Sequence, residues 1–235
     1  MAFLFAAMTT FEAMKKWLFV IALWSSTIAS GQIKFSLVTG VSVLRNFSPQ
    51  QKFWAIGQTV QGDFHFTAKE SAYASLDFYG EGKFRNNFIA TAKSTIISPQ
   101  QLSYTATGHM LGRHISLGWK HYFTGSFKEE RATAIYGQAG FGFLFAKLRN
   151  SFTIAVDTTL YNARPKEGES KIRKLSFDLG IGAEQPLGGN FYGFAEVNTW
   201  LPASSNTSPY LHNQRNVPLP VILSVGVRLL FDFGY

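Results

Sequence analysis

Eight segments of the sequence alternate between apolar and polar residues, and this alternation constrains the fold more than any other feature. They span residues 33–44, 52–66, 71–83, 101–123, 132–148, 172–186, 190–202 and 217–233. The clearest is 172–186, which contains the run LSFDLGIG over residues 175–182. Because successive side chains of a β-strand point to opposite faces, each segment predicts a strand with one apolar and one polar face. The chain is therefore predicted to be all-β and antiparallel.

The connections between these segments alternate in length. Short connections at about 67–70, 124–131 and 187–189 alternate with longer ones at 84–100, 149–171 and 203–216, and 45–51 is the short member of the second class. An even strand count with short turns at one edge and longer loops at the other is typical of outer-membrane barrels, whose short turns are periplasmic. Weak alternation at 151–161 leaves a count of ten strands open. A change of parity within 101–123 predicts a bulge near residues 108–112.

The charge content indicates what the apolar face meets. Charged residues make up 15% of the chain, against about 25% in an ordinary soluble domain. The face opposite the apolar one is rich in Gly and Ser, whereas the outer face of a soluble sandwich carries many charges. We therefore predict an eight-stranded transmembrane β-barrel over residues 32–235, with the apolar face in lipid. A secreted β-sandwich or a lipocalin-like binder is the alternative if that face is interior.

Aromatic residues near the strand ends are expected to form interfacial girdles. They are Trp54, Tyr104, Trp119, Tyr122, Phe123, Trp200, Phe231 and Phe233.

Residues 1–31 have the features of a cleavable signal peptide. A basic start at 14–16 precedes an apolar run at 17–24 and small residues up to Gly31. We predict cleavage after Gly31, with Met14 as an alternative translation start. The apolar run is shorter than the about 20 residues that a helical span needs. The absence of cysteine excludes a lipoprotein anchor, a disulfide scaffold and thiol chemistry.

The sequence resembles the small bacterial outer-membrane β-barrel family, including the porin-like outer membrane protein β-barrel domain and the eight-stranded OmpA/OmpX type. The likeness lies in the segments 115–123, 137–142 and 178–182 and in the aromatic C-terminal strand. Members of the family typically end in a strand with a terminal aromatic residue that the assembly machinery reads. The resemblance thus implies that Phe231, Phe233 and Tyr235 are the assembly signal. It also implies an integral protein of the outer membrane of a Gram-negative bacterium.

Polar residues at inward positions predict a network inside the barrel. Its members are Lys34, Asp63, His65, Asp77, Lys120, Asp178, Glu184, Glu196, Arg228 and Asp232. The interior of an eight-stranded barrel is just wide enough for side chains to fill it. We therefore predict a polar, plugged lumen and a structural or ligand-binding role. A narrow passive porin for small solutes is the first alternative, and a subunit of a secretion or adhesion assembly is another.

His114 and Ser116 lie two residues apart and therefore on one face of a strand. The pair is similar to the His-x-Ser of outer-membrane lipid A deacylases, in which the histidine activates the serine and a carboxylate orients the histidine. Leu117 stands where that family has a polar residue, and no acidic partner is evident. We predict a non-enzymatic protein and keep a lipid A-modifying hydrolase as an alternative.

Neither metal nor cofactor binding is predicted. The five histidines show no metal-ligand spacing. The glycines at 137–142 lie inside a strand pattern with no helix after it, so they do not form a phosphate loop. They are better explained as small residues that relieve barrel curvature.

The formal net charge of +8 favours an anionic partner. Basic runs and nucleic-acid motifs are absent from the sequence, so a membrane surface is preferred over nucleic acid. The segment 149–174 supplies a predicted anion-binding set, Arg164, Lys166, Lys171, Arg173 and Lys174. We predict that this outer rim binds lipopolysaccharide phosphates. The expected partners are outer-membrane lipids, lipopolysaccharide and the assembly machinery, and the protein is expected to be a monomer.

Overall fold

The computed structural model describes residues 34–203, 208–213 and 220–231, and it is built from strands. The strands are β1 (Lys34–Asn46), β2 (Phe53–His65), β3 (Glu70–Ala92), β4 (Gln101–Thr124), β5 (Ala134–Phe152), β6 (Tyr161–Asn162), β7 (Gly168–Gly188), β8 (Phe191–Pro202) and β9 (Pro220–Phe231). Within the described residues no helix is long and apolar enough to cross a bilayer. The predicted signal peptide, Asp232, Phe233 and Tyr235 lie outside the described residues, and the assembly signal stays a prediction.

The long strands close into an eight-membered antiparallel ring. Its order is β1-β2-β3-β4-β5-β7-β8-β9, and β1 pairs with β9 to close it. The two-residue β6 pairs only with the end of β3, outside the ring. The prediction of eight strands is therefore confirmed. The alternative of ten is wrong, because the segment 151–161 supplies only the end of β5 and the start of β6.

Several strands are longer than the sequence pattern predicted. The predicted loop 84–100 contains the last part of β3, which pairs with β4 as far as Thr91. The predicted loop 149–171 likewise contains the end of β5 and the start of β7. Outward side chains in the extended part of β3 are mostly polar, as at Lys83, Arg85 and Asn87. Alternation disappears there because neither face of the extended strands has to meet lipid.

The predicted bulge lies on the neighbouring strand. Tyr79 pairs with Gly112 and Gly82 pairs with Met110, so two residues of β3 oppose Leu111 alone. Strand β4 keeps one parity throughout, and Tyr104, like His114, is buried in the barrel interior. The expectation of a bulge in β4 at 108–112 was wrong because it assumed a polar interior along the full height of the barrel.

Outward residues form an apolar belt around the barrel. Leu117 and Phe141 are each 65% exposed on paired positions of β4 and β5. An exposed apolar surface of this extent is unfavourable in water and is the surface that lipid covers on a transmembrane barrel. Of the predicted girdle, Trp54, Trp119 and Phe123 are exposed. Tyr104, Tyr122 and Trp200 instead point inward, because their parity is that of the interior face.

The interior is polar toward the short-turn end and apolar toward the loop end. The apolar part is a cluster on all eight strands of the ring and one loop, and includes Leu44, Phe53, Tyr79, Met110, Leu148, Trp200 and Leu211. Residues 208–213, here called the plug loop, contribute Leu211 to this cluster. Asn150 Nδ2 donates to the carbonyl of Tyr210 (2.6 Å) and Gln51 Nε2 donates to that of Asn213 (3.0 Å). The plug loop therefore closes the outer mouth of the barrel.

The burial of His212 predicts that the seating of the plug loop depends on pH. Its Nδ1 accepts a hydrogen bond from Asn86 Nδ2 (2.8 Å), and its ring packs edge-on against Phe84 and Phe88. Burial lowers the pKa of His212 to about 4. A buried histidine whose pKa lies below its unfolded value stabilises the seated loop fully above about pH 6.5 and progressively less as the pH falls toward 4.

We expect the plug loop to lose up to about 3 kcal/mol of seating free energy between pH 7 and pH 4. Amide-exchange protection factors of residues 208–213, corrected for intrinsic rates, measure this loss. His212→Phe keeps the ring contacts and should make these protection factors independent of pH. Equal acid sensitivity in the variant would show that another group controls the loop.

Candidate functional site

Four charged side chains form an ion-pair network near the short-turn end of the interior. Lys120 Nζ lies 2.6 Å from Glu184 Oε1 and 3.3 Å from Asp63 Oδ2. Arg228 Nε donates to Glu184 Oε2 (2.9 Å), so Glu184 bridges both cations. All four are almost fully buried. Two carboxylates balance two cations, so the network is neutral as a whole.

Polar atoms around this network satisfy most of its remaining hydrogen-bonding groups. Arg228 also donates to Ser36 Oγ (2.9 Å) and to the carbonyl of Phe127 (2.6 Å) in the β4–β5 turn. Lys120 Nζ lies 3.8 Å from the ring centroid of Tyr136, a cation–π contact. The network and these contacts therefore tie six strands and a turn together across the barrel.

A second polar cluster lies between this network and the apolar part of the interior. The two ring nitrogens of His114 face Asp77 (3.3 Å) and Ser176 (2.9 Å). Ser116 Oγ donates to Asp178 Oδ2 (2.5 Å). No hydrogen bond joins His114 to Ser116 among the described residues, and both side chains are buried in the interior, away from lipid. The geometry therefore does not support the His-x-Ser hydrolase alternative.

Glycines of β4 and β5 provide the space for these inward side chains. A Cβ at Gly140 would lie 2.6 Å from the Tyr73 hydroxyl, and one at Gly142 would lie 2.3 Å from His114 Nε2. Both positions face the interior on β5, while Gly137 faces outward. The glycines at 137–142 thus allow close packing inside a strand.

Among the described residues, no group of three or more His, Cys, Asp or Glu side chains could hold a metal ion.

The side chains leave little space along the barrel axis. A polar cavity of about 20 Å³ lies beside His114, and an apolar cavity of about 40 Å³ lies above it, between Tyr79 and Ile172. Cavities of this size admit water molecules rather than solutes. Eight of the ten predicted lumen residues are buried in the interior, and Lys34 is half-buried at its short-turn end. The structure thus places these polar residues in the part of the lumen nearer the short turns, not along its whole height.

The predicted anion-binding set is divided among three places. Arg164 and Lys166 lie in the segment between β6 and β7. Lys171 and Arg173 are exposed on the outward face of β7. Lys174 is only 7% exposed and points into the barrel, because it has the parity of Ser176 and Asp178. These five residues therefore do not form one rim site.

Cations mark the upper boundary of the apolar belt on several strands. On β1, β4, β5 and β7, the first charged outward residue above the belt is Arg45, Arg113, Lys147 and Arg173, respectively. On β3 it is Glu81, at the bulge, which is ion-paired with His109 (3.0 Å). Arg113 and Lys147 were not among the candidates predicted from the sequence. Their outward parity directly beyond an apolar run was the signal that could have identified them.

Five cations on β4, β5 and β7 form one surface, here called the cation patch: Arg113, Lys147, Arg149, Lys171 and Arg173. Arg113 and Arg173 both pair with Phe145 from opposite sides, so their backbones are about 10 Å apart. At the level of the cation patch, Glu169 is the single outward-facing carboxylate on β4, β5 and β7. It forms ion pairs with Lys147 (2.9 Å) and Arg149 (3.4 Å). The patch therefore keeps an excess of positive charge at the boundary of the belt.

The sequence matches no protein family and no curated protein. Among solved structures, it is similar to Ail, the attachment invasion locus protein of Yersinia pestis, with a TM-score of 0.47 and 13% identity over 86% of this chain and 100% of that chain. The N-terminal β-barrel domain of Pseudomonas aeruginosa OprF has a TM-score of 0.45 and 12% identity, over 85% of this chain and 100% of that chain. The outer membrane protein OprG of the same organism has a TM-score of 0.47 and 9% identity, over 85% of this chain and 96% of that chain.

All three likenesses have TM-scores below 0.5 and identities below 25%, so the fold class rests on the strand pairing of this chain itself. The closed eight-stranded ring confirms the predicted fold class. A closed antiparallel barrel with an apolar belt and charged residues above it has the architecture of integral outer-membrane proteins.

Proposed function

We propose that this outer-membrane β-barrel is a non-enzymatic, non-conducting protein that binds lipopolysaccharide phosphates on the outer face of its wall. The cation patch carries this proposal. Arg and Lys side chains bind phosphate by charge-assisted hydrogen bonds, and Arg does so with two parallel donors. Phe145 between Arg113 and Arg173 offers an apolar surface to the adjoining acyl chains.

The asymmetry of charge between the two ends of the belt supports an anionic ligand at the upper end. At the short-turn end, Glu70 pairs with His121 (2.5 Å), and Glu129 and Glu130 lie in the same turn as Arg131. That end is therefore mixed in sign. The long-loop end carries the cation patch and Arg45, and in barrels of this type it faces the outside of the cell. The lipid phosphates that such a surface meets there belong to lipopolysaccharide.

The filled interior supports a role on the wall rather than through the lumen. The network around Lys120 crosses the barrel, and the plug loop covers the opposite mouth. A passive porin would need a continuous aqueous path, and a lipid A hydrolase would need an accessible, activated serine. Neither requirement agrees with the packing of the described residues.

Replacing Arg113 and Arg173 together with glutamine should weaken lipopolysaccharide binding about thirtyfold, because each cation near an anionic lipid surface contributes about 1 kcal/mol. The readout is the apparent affinity of the folded, lipopolysaccharide-free protein in detergent for deep-rough lipopolysaccharide, measured by native mass spectrometry. Deep-rough material carries the lipid phosphates without the outer sugars, so the measurement isolates the phosphate contribution.

The matched control is Lys69→Gln with Arg131→Gln, which removes two exposed cations from the short-turn end. This control should bind as the unmodified protein does. The proposal is overturned if both double variants bind equally well, since binding would then not depend on the cation patch.

A further inference from the structure

A large cavity lies at the long-loop end of the barrel, separate from the cation patch. It measures about 1220 Å³ and lies among the end of β3, the segment 153–167 and Pro209 of the plug loop. Sites for single small molecules are typically about 300–1,000 Å³. The cavity is therefore large enough for a chain of several small units.

The cavity wall combines positive charge with apolar surface. Lys93, Arg164 and Lys166 line it, together with one carboxylate, Glu167. Ile89, which is 58% exposed, supplies apolar surface between these charges, and the mostly buried Val156 and Tyr161 border the cavity. Cations select a negatively charged ligand, and apolar or aromatic faces pack against the C–H faces of sugar rings. This combination suits an acidic oligosaccharide better than an inorganic ion.

Hydrogen bonds hold the cavity wall in place. Lys93 Nζ donates to the carbonyl of Thr158 (2.6 Å), which joins β3 to the segment 153–167. The Lys166 amide donates to the carbonyl of Pro209 (3.0 Å), and the Tyr104 hydroxyl donates to the carbonyl of Arg164 (2.8 Å). The backbone that carries both Arg164 and Lys166 is therefore anchored to its neighbours before a ligand binds.

The height of the cavity separates it from the lipid headgroups. Ile89 lines the cavity and pairs with Ser103, ten residues along β4 from Arg113 of the cation patch. Ten residues span about 33 Å of strand, or about 25 Å of height at a tilt of about 40°. A ligand in the cavity is therefore a water-soluble group outside the membrane.

We propose that this cavity binds an acidic oligosaccharide, with Arg164 and Lys166 contacting its carboxylate or other anionic groups. The site is distinct from the lipid-phosphate site of the cation patch. It requires only that this end of the barrel faces the outside of the cell.

The test uses hexagalacturonate and its fully methyl-esterified form, which differ in charge and share the same sugar chain. Calorimetric titration of the folded protein in lipopolysaccharide-free detergent should show binding of the acid and at least tenfold weaker binding of the ester. Arg164→Gln with Lys166→Gln should weaken binding of the acid at least tenfold. Asn162→Trp, which places a bulky side chain in the cavity without changing its charge, should also weaken binding of the acid at least tenfold.

The control is Lys171→Gln with Arg173→Gln, which removes two cations from the cation patch. It should bind hexagalacturonate within about twofold of the unmodified protein. Conversely, the cavity variants should retain deep-rough lipopolysaccharide. Equal binding of acid and ester, or undiminished binding by both cavity variants, would overturn the cavity proposal while leaving the lipid-phosphate proposal intact.

A comparison of lipopolysaccharides identifies the source of the sugar. If the cavity variants lose affinity for lipopolysaccharide with a complete acidic core but not for the deep-rough form, the oligosaccharide belongs to the surrounding membrane. The other outcome is that the cavity variants bind each form of lipopolysaccharide as tightly as the unmodified protein does but no longer bind hexagalacturonate. The ligand is then a free polysaccharide.

Discussion

Replacing Lys120 with methionine is expected to destabilise the folded barrel by about 3–5 kcal/mol, the usual cost of removing one partner from a buried ion pair. Lys120 Nζ is held by Glu184 (2.6 Å) and Asp63 (3.3 Å), and the lysine is 1% exposed. Without it, Arg228 is left alone to balance two buried carboxylates. Methionine fills a similar volume, so the loss measures charge rather than packing.

A compensating substitution separates this charge effect from any other. Asp63→Asn removes the carboxylate that would have no cation, and the double variant with Lys120→Met restores a one-to-one balance between Glu184 and Arg228. We expect the double variant to recover most of the lost stability, because a buried pair can often be replaced by neutral groups at little cost. Urea unfolding of the protein in lipid vesicles, analysed as a double-mutant cycle, gives the coupling energy.

The exposed Lys69 in the β2–β3 turn provides the matched control, and Lys69→Met should change the free energy of unfolding by no more than about 0.5 kcal/mol. A loss below about 1 kcal/mol for Lys120→Met, or a double variant no more stable than the single one, would show that the network does not stabilise the barrel as the distances suggest.

The sequence predicted the features that depend on side-chain parity alone. The strands within the membrane and the interior positions of Asp63, Asp77, Lys120 and Arg228 follow from alternation, because a strand places every second residue on one face. Parity also explains the error at Lys174. That residue was grouped with the loop cations by its position in the chain, although it shares the interior parity of its neighbours in β7.

Features that depend on register between strands could not be predicted. Lys120 meets Glu184 because the pairing of β4 with β5, and of β5 with β7, brings them to one level across the barrel. No local pattern in the sequence contains that information. Local patterns also do not predict the apolar cluster at the loop end of the interior, which contains Met110, Leu148 and Leu211 of the plug loop. The cavity beside Arg164 depends on how three segments fold together above the membrane.

Replacing Leu117 with arginine is expected to destabilise the barrel by about 2–4 kcal/mol, the cost of placing Arg on the lipid face at the bilayer midplane. Leu117 is 65% exposed and lies midway along the apolar belt of β4, between Arg113 and Phe123. In a water-soluble protein, a substitution at so exposed a position changes stability by no more than about 0.5 kcal/mol. The size of the loss therefore reports directly on whether this face meets hydrocarbon.

The control places the same charge on an apolar residue above the membrane. Ile96 is 92% exposed in the β3–β4 loop, and Ile96→Arg should leave the free energy of unfolding unchanged within about 0.5 kcal/mol. Both variants are compared by urea unfolding in the same vesicles. If Leu117→Arg is as well tolerated as Ile96→Arg, the outward face of β4 is solvated. The cation patch would then not lie at a lipid boundary, and the lipid-phosphate proposal would fall with the membrane assignment. A loss confined to Leu117→Arg places Arg113, four residues above it on the same face, where phosphates of the outer leaflet can reach it.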